Sequence, residues 1–335
     1  MKAAIIGAKI LTGPEVSKLS LEELIYRAAS AALKETGLAI GDVDQVAIAS
    51  SDGLDGRAIS SMVTAPSVGA YRKSIINSSS SGEHALALAA LQIMAGRSRI
   101  CLVANWAKPS EGPMREVDRL NMDPFFYRPL PLSRTELIGL QTEAMIAAAG
   151  ADSVAELGTE PQTKGATDAA VVLILASDAV ARRRKSPFTT IEGFGWACDS
   201  YWRGGDELAT MPSLAKAASR AYRMAKIDDP ASALDFVEAI DFTPLHLLMI
   251  CRALGLCTDG NMKEFAGQLA DKKTKIRINP SGGLAARDYD FASGLAAVAT
   301  SHYRLVEGEK KARGLAHAAS ANAAQANSVF ILEAA

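Results

Sequence analysis

Cysteine, histidine and aromatic residues are all scarce in this chain: four cysteines, four histidines and 6% Phe, Trp and Tyr in 335 residues. Cys101, Cys198, Cys251 and Cys257 form no C-x-x-C pair and have no histidine cluster beside them. That spacing argues against zinc, so no metal site is expected. Core thiols in a reducing cytoplasm are the expectation instead. With so few aromatics, the core must be built from Ala, Val, Ile and Leu. No sign of charge dominates, with 36 basic against 37 acidic residues. A nucleic-acid footprint is therefore not expected. The runs Arg182-Arg183-Arg184-Lys185 and Lys272-Lys273 read as solvated loop or helix ends. Membrane-spanning apolar runs are missing too; Ala169 to Ala176 reads as a buried strand. The opening Met1–Gly7 is too short an apolar run for a signal peptide and reads as the first strand. A cytoplasmic location is expected.

What is present is alternation. Ala3–Ile6 reads as a strand, and Ser20-Leu21-Glu22-Glu23 opens a helix running to Leu38 with a capping-box pattern. A strand near 44–50, a helix over 83–95 and a strand at Ile100–Asn105 follow. The grammar then recurs, with a helix from Ser213, a strand at Leu234–Ile240, a helix over 291–305 and a closing strand at 328–332. Asn77 in Ser74–Gly82 and Asn279 in Ile276–Gly283 lie 202 positions apart, so the unit is duplicated. Short buried strands between amphipathic helices imply an α/β fold with parallel or mixed sheet covered on both faces. The halves read as 1–180 and 181–335. An insert over about 107–165 carries Pro109, Pro113, Pro124, Pro129, Pro131 and a helix Glu136–Ala149. It has room for a cap over a site and reads equally as a long structural excursion.

The stretch Asn77-Ser78-Ser79-Ser80-Ser81-Gly82 runs from a strand into an apolar helix. That is the local shape of a nucleophile turn, where free N–H groups and the helix dipole favour negative charge. Acyl-transfer enzymes built this way usually carry a cysteine there. Here the turn carries four serines.

Three motifs carry a family resemblance. They are Asn279-Pro280-Ser281-Gly282-Gly283, the stretch Ala218 to Pro230, and the tail Leu315 to Glu333. Together with Ala104 to Glu111 they resemble the thiolase superfamily, in particular a short thiolase-like subgroup related to sterol-carrier-protein-type thiolases. The resemblance covers nearly the whole chain. It implies a thiolase fold of two βαβαβαββ halves in a five-layered α-β-α-β-α arrangement, commonly dimeric. It also implies condensation or cleavage of acyl-CoA chains by a nucleophilic Cys, a His or Asn in the second half, a His after the Asn-Pro-Ser-Gly-Gly loop and often a second Cys.

The chain departs from the family at each of these positions. The Cys slot falls on Ser79, and the His or Asn slot on Ile240, which carries no hydrogen-bonding group. Asp288 stands near the later His slot, and Ala318 to Ala324 replaces the C-terminal Cys loop. Ser79 as a nucleophile needs a base. His84 sits in the helix and is expected to point away from the turn, while His246, His302 and His317 cannot be placed. Small residues filling a tight turn are the plainer reading of Ser78–Ser81. Asp288 and Tyr289 are weak candidates for proton transfer, set against a surface turn. Asp241 matches the acid that follows the catalytic His or Asn and reads as support for the strand end. His317 reads as structural beside the closing strand. Ser281, Gly282 and Gly283 are a possible CoA-side loop or a tight turn. Trp106, Trp196, Trp202 and Tyr201 read as core, interface or pocket aromatics. Phe125, Phe126 or Tyr127 from the insert could fill the substrate tunnel.

The first-ranked function is a thiolase-like subunit of acyl-CoA metabolism without Cys-dependent chemistry. It would form a homodimer through the sheet edge. It would act beside a full-length thiolase or a small zinc-ribbon/OB-fold acyl-CoA-binding protein. The alternatives are an acyltransferase or carbon–carbon lyase using Ser79 or Asp288/Tyr289, and a plain acyl-CoA binder. No resident cofactor is expected, with CoA or acyl-CoA as ligand.

Overall fold

The computed structural model describes residues 1–79, 81–130, 132–150, 154, 157–163, 165–200, 208–308, 311–320 and 325–335. Ser80, Pro131, Tyr201, Trp202 and positions 321–324 of the C-terminal loop lie outside the described residues. The strands are β1 (Ala3–Thr12), β2 (Gln45–Ala49), β3 (Ser74–Ser78), β4 (Ile100–Ala107) and β5 (Ala169–Ser177). Then come β6 (Thr189–Cys198), β7 (Phe236–Glu238), β8 (Arg277–Ile278), β9 (Arg313–Ser320) and β10 (Ala326–Ala334). Among the described residues they hydrogen-bond in the order β3-β2-β4-β5-β1-β6-β10-β9-β7-β8. From the centre outward, each half follows the same path.

The pairing repeats as well. β2 is parallel to β3 and β4, as β7 is to β8 and β9, and the remaining pairs within each half are antiparallel. Among the described residues, the strands of the two halves pair with each other at Ala4↔Thr190 and Ile5↔Thr189. The duplicated asparagines show the repeat in side chains. Asn77 Oδ1 accepts from the Ser50 hydroxyl at 3.0 Å, and Asn279 Oδ1 from the Ala239 N–H at 2.6 Å. In both halves the third strand is thus tied to the residue that follows the second.

Strand alternation sets the layers, because successive side chains face opposite sides. Ala3 and Ile5 of β1 pack with Leu86 and Ile93 of α3 (Gly82–Met94) and Leu295 of α8 (Ser293–Glu307). Ala4 and Ile6 face the other way, onto Leu24 and Ile25 of α1 (Leu21–Thr36) and Ala65 of α2 (Ser60–Ser67). In the second half, Phe330 and Leu332 face the central helices. Val329 and Ile331 pack on Leu214 of α6 (Pro212–Ala225) and Leu248 of α7 (Pro244–Ala253). The result is five layers, helix–sheet–helix–sheet–helix, as the thiolase resemblance implied. Central α3 buries Ala85, Leu86, Ala87, Ala89, Ala90 and Ile93, which fits a helix that is apolar on most faces.

Local signals place the ends. Ser20 Oγ accepts the Glu23 N–H at 3.1 Å, and Gly37 closes α1 at φ 65°. Two strands, β6 and β9, have no counterpart in the sequence reading. In β6 the reason is glycine, which weakens a strand signal. A Cβ at Gly193 or Gly195 would lie 2.2 Å from Ala221 O or 2.3 Å from Ala217 O, so α6 lies directly on that strand.

The insert adds α4 (Met114–Leu120) and α5 (Arg134–Ala149). Its entry is pinned to the end of the excursion. The Ser110 hydroxyl donates to buried Asp168 at 2.6 Å, and Lys108 Nζ stands 3.9 Å from the same carboxylate. Among the described residues, no helix is long and apolar enough to cross a membrane.

Candidate functional site

The serine turn lies at the mouth of α3. Ser81, extended at φ −110° and ψ 170°, is the residue preceding the helix, and Gly82 is its first. Gly82 is required by contact: a Cβ there would lie 2.6 Å from Oδ1 of Asn105 on β4. Asn105 in turn donates to Ala49 O at 3.2 Å, so the turn is pressed onto the ends of β2 and β4.

Above it opens a cavity of about 390 Å³. Ser79, Ser81, Glu83 and His84 form its floor, while Asp118, Asn121 and Arg134 reach in from the insert. Phe242, Asp290, Gly294, Ser320 and Cys198 supply further wall from the second half. Residues of the insert therefore line this cavity, which lies between the two halves.

Two polar groups organise this cavity. In the first, the Ser81 hydroxyl donates to Glu83 Oε1 and lies 3.3 Å from His84 Nδ1 and 3.4 Å from Ser320 Oγ. Glu83 is 1% exposed, and its Oε2 has no hydrogen-bond partner among the described residues. Burial pushes the Glu83 carboxyl above its ordinary pKa, against the opposing pull of His84 and the Ser81 hydroxyl. The His84 ring meets Trp196 edge-on at 6.5 Å.

In the second group, Arg134 pairs with Asp118 at 2.9 Å and Asp290 at 3.4 Å, joining the insert to the second half. Burial raises the Asp290 carboxyl, with Arg134 opposing. Burial likewise works against the Arg134 charge, but the two carboxylates outweigh it and hold its pKa above the ordinary value.

Ser79 is exposed at the cavity edge, two residues short of the helix cap. His84 corrects the sequence expectation: it does not point away from the turn but lines the same cavity and approaches Ser81. The helix starts at Gly82, so positions 81 and 84 are one turn apart on one face. Ile240 is buried against Leu284 and Ala297, an apolar plug at the family's His or Asn position.

The other acidic candidates are held by backbone and hydroxyl donors. Asp288 accepts from the Thr163 hydroxyl and the Asp290 N–H, and its carbonyl accepts from Thr167 N. Tyr289 is buried in the central core, its N–H bonded to Ser293 Oγ at 2.8 Å. Burial raises the phenol's pKa, with Arg287 and Thr12 opposing. Asp241 accepts the Leu284 N–H at 2.8 Å, and burial lifts its carboxyl to about 6. None of Ile240, Asp288, Tyr289 and Asp241 is on the cavity wall.

In the glycine loop, a Cβ at Gly283 would lie 2.3 Å from Asp241 Oδ1, and Ser281 Oγ accepts from Arg304 at 2.9 Å. That loop is packed against its neighbours. His302 and His317 are buried, bonded to Thr189 and Asn327 at 3.0 Å each, and burial lowers both to about 4. Phe125 and Phe126 point outward, 81% and 52% exposed, while Tyr127 packs on Met122 and Leu137. None of the three fills the cavity.

Sequence reasoning missed Ser81, Glu83, Arg134 and Asp290. For Ser81 the Ser-x-x-His spacing on a helix start was an available signal. Arg134 and Asp290 are 156 positions apart and had none.

Comparison with known proteins agrees with this architecture. Residues 200–334 match a family described as thiolase C-terminal domain-like. No curated protein matches the chain by sequence. Among solved structures, "Ltp2-ChsH2(DUF35) aldolase" superposes with a TM-score of 0.75 at 17% identity, over 99% of this chain and 98% of the other. A monomeric SCP2-thiolase like protein type 1 from Mycobacterium smegmatis gives 0.66 at 16% identity, over 99% of this chain and 77% of that one. The chain has the thiolase fold, and its residues 200–334 match the thiolase C-terminal domain-like family in sequence.

Proposed function

We propose that this thiolase-fold chain acts on acyl-CoA thioesters by cysteine-free acid–base chemistry at a carbon–carbon bond, as one subunit of a two-component enzyme. One observation carries the reading. The cavity at the head of α3 holds hydroxyl, imidazole, carboxyl and guanidinium groups, while the nucleophile turn holds no thiol. Without a thiolate there is no acyl-enzyme of the thiolase kind. A thioester still acidifies its α-carbon, so a base and an oxyanion donor are sufficient to break or make the adjacent bond. Such a cleavage takes a proton from a β-hydroxyl, breaks the Cα–Cβ bond and returns a proton to the enolate carbon.

The likeness to "Ltp2-ChsH2(DUF35) aldolase" supports both the lyase class and the second component. The partner sought is therefore a second, different chain, either a small acyl-CoA-binding protein or a full-length thiolase. Homodimerisation through the β3 edge is part of the proposal. Ile75 on that strand is 47% exposed, and nearby Met62 is 70% exposed.

The test is calorimetry with CoA, acetyl-CoA and a 3-hydroxyacyl-CoA, followed by an assay for carbonyl product with and without the partner. Thioester-dependent cleavage that consumes no free CoA is the expected result. Absence of binding heat for all three compounds would refute the reading, as would CoA-dependent thiolysis through a covalent acyl-enzyme.

A further inference from the structure

We infer that His84 is the proton acceptor of this cavity and that Ser81 and Glu83 are positioning residues that fix its tautomer. The inference rests on the acid–base reading above and assigns that reading to named atoms.

The argument is a count of protons. Ser81 has a single hydroxyl proton, and Glu83 Oε1 is the nearest acceptor for it, closer than His84 Nδ1 at 3.3 Å or Ser320 Oγ at 3.4 Å. With that proton directed to Glu83, the 3.3 Å contact between Ser81 Oγ and His84 Nδ1 is a hydrogen bond when Nδ1 carries the proton and the serine oxygen accepts. Nε2 is left with its lone pair, on a ring that lines the cavity and has no other hydrogen bond among the described residues. A neutral imidazole with a bare nitrogen facing substrate space is a general base.

Glu83 fits the same arrangement when it is ionised or carries its proton on Oε2, because Oε1 then accepts from Ser81. Glu83 lines the cavity floor but is 1% exposed, so it offers a substrate far less surface than the partly exposed His84. The ionisable groups facing His84 across the cavity are Glu83 on its own helix, Cys198 at the end of β6, Asp118 and Arg134 from the insert, and Asp290. Arg134 is engaged by both aspartates, so the cavity's fixed positive charge is held away from the imidazole by pairing.

In the step itself, Nε2 takes the β-hydroxyl proton and His84 becomes imidazolium. The alkoxide oxygen forms a carbonyl, the Cα–Cβ electron pair moves into the thioester enolate, and the imidazolium returns its proton to Cα. Atoms and charge balance without an added reagent. The nearby carboxyl stabilises the transient imidazolium through the serine.

The decisive experiment combines nitrogen NMR of histidine-labelled protein with kinetics of His84→Gln, Ser81→Ala, Ser81→Thr and Glu83→Gln. The wild type should show His84 protonated at Nδ1. Ser81→Ala should redistribute the proton to Nε2, and Ser81→Thr should restore the original spectrum. Turnover should fall roughly 10²–10⁴-fold in His84→Gln. Glu83→Gln should shift the acidic limb of the pH–rate profile while KM stays unchanged. An Nε2–H wild-type spectrum overturns the tautomer assignment. Turnover within a few-fold of wild type in His84→Gln overturns the acceptor assignment and leaves the acid–base reading standing. If the wild type turns over no thioester, the functional reading itself falls and takes the acceptor role with it. The spectrum then decides the tautomer alone.

Discussion

A Cβ on Gly294 of α8 would stand 2.4 Å from Oε2 of Glu83 on α3. The two central helices, one from each half, thus cross where a side chain is absent on one and a carboxylic acid is buried on the other. Ala318 Cβ closes the same space at 2.7 Å. Glu83 is 1% exposed and has little room to swing aside. Gly294→Ala should therefore lower stability by about 1–3 kcal/mol, the usual range for overpacking a well-packed site. Glu83→Ala should relieve part of that loss, and the interaction should appear as non-additivity in urea titrations of the two single variants and the double variant. Strict additivity would show that the contact does not constrain Glu83.

Asp241 gives a pH prediction of definite sign. Its carboxyl titrates near 6 in the folded chain against an ordinary 3.8, because burial outweighs the Leu284 and Asn279 hydrogen bonds that favour its charge. A carboxyl with a raised folded pKa stabilises the fold below the unfolded value and loses that contribution as pH rises through the folded one. The contribution should therefore decline between about pH 4 and 6, by up to about 3 kcal/mol. Asp241→Asn keeps an acceptor for Leu284 and removes the titration. Its stability relative to wild type should rise across that window and stay level above it, as read from urea midpoints at half-unit steps. A pH-independent difference between the two proteins would contradict the assignment.

How far the sequence led depends on whether the cause was local. Ser20, Gly37 and the repeated asparagines act on residues close by in chain or in register, and the strand alternation set the layers. The thiolase resemblance supplied the order of the layers. The strand at 189–198 was hidden because Gly193 and Gly195 answer to a helix that follows later in the chain. The site was half legible. Ser79 marked the right turn, yet the groups that converge there are Ser81 and His84, separated from Ser79 by where the helix begins. Asp288 was singled out two residues from Asp290, and only the latter meets Arg134. A left-handed φ of 44° at Asp290 turns the chain there, and no pattern in the sequence announces it.

The four thiols should react very unequally. Cys101 and Cys251 are buried, and burial lifts Cys101 to about 12 and Cys251 well above its ordinary value. Cys257 is likewise buried and raised to about 11. Cys198 is exposed and lies on the cavity wall. Iodoacetamide at neutral pH should modify Cys198 in the native protein while the other three remain free, as mass spectrometry of the digest will show. The adduct should also weaken thioester binding, and prior thioester should slow labelling. Labelling that is indifferent to thioester would place the ligand elsewhere.

Arg134 holds the insert by two carboxylates, one on the insert itself and one on the second half. Its guanidinium fork can serve both at once, whereas a lysine ammonium is a single point charge. Arg134→Ala would leave Asp118 and Asp290 facing each other with no cation between them. Asp290 would then lie partly buried, unpaired, in a left-handed backbone conformation. The side chain of Arg134 is 32% exposed, so solvent screening keeps the expected cost modest, about 1–2 kcal/mol. That cost should be local rather than global. Amide hydrogen exchange should accelerate about tenfold across 114–149, since 1.4 kcal/mol corresponds to one decade, while α3 and α8 remain protected. Arg134→Lys should fall between the two. Raising salt should speed exchange in the wild type and slow it in Arg134→Ala, where it screens the two facing aspartates. If the insert exchanges at the same rate in all three proteins, its position is set by Ser110, Lys108 and Asp168 at its base, and the Arg134 pairs serve the cavity alone.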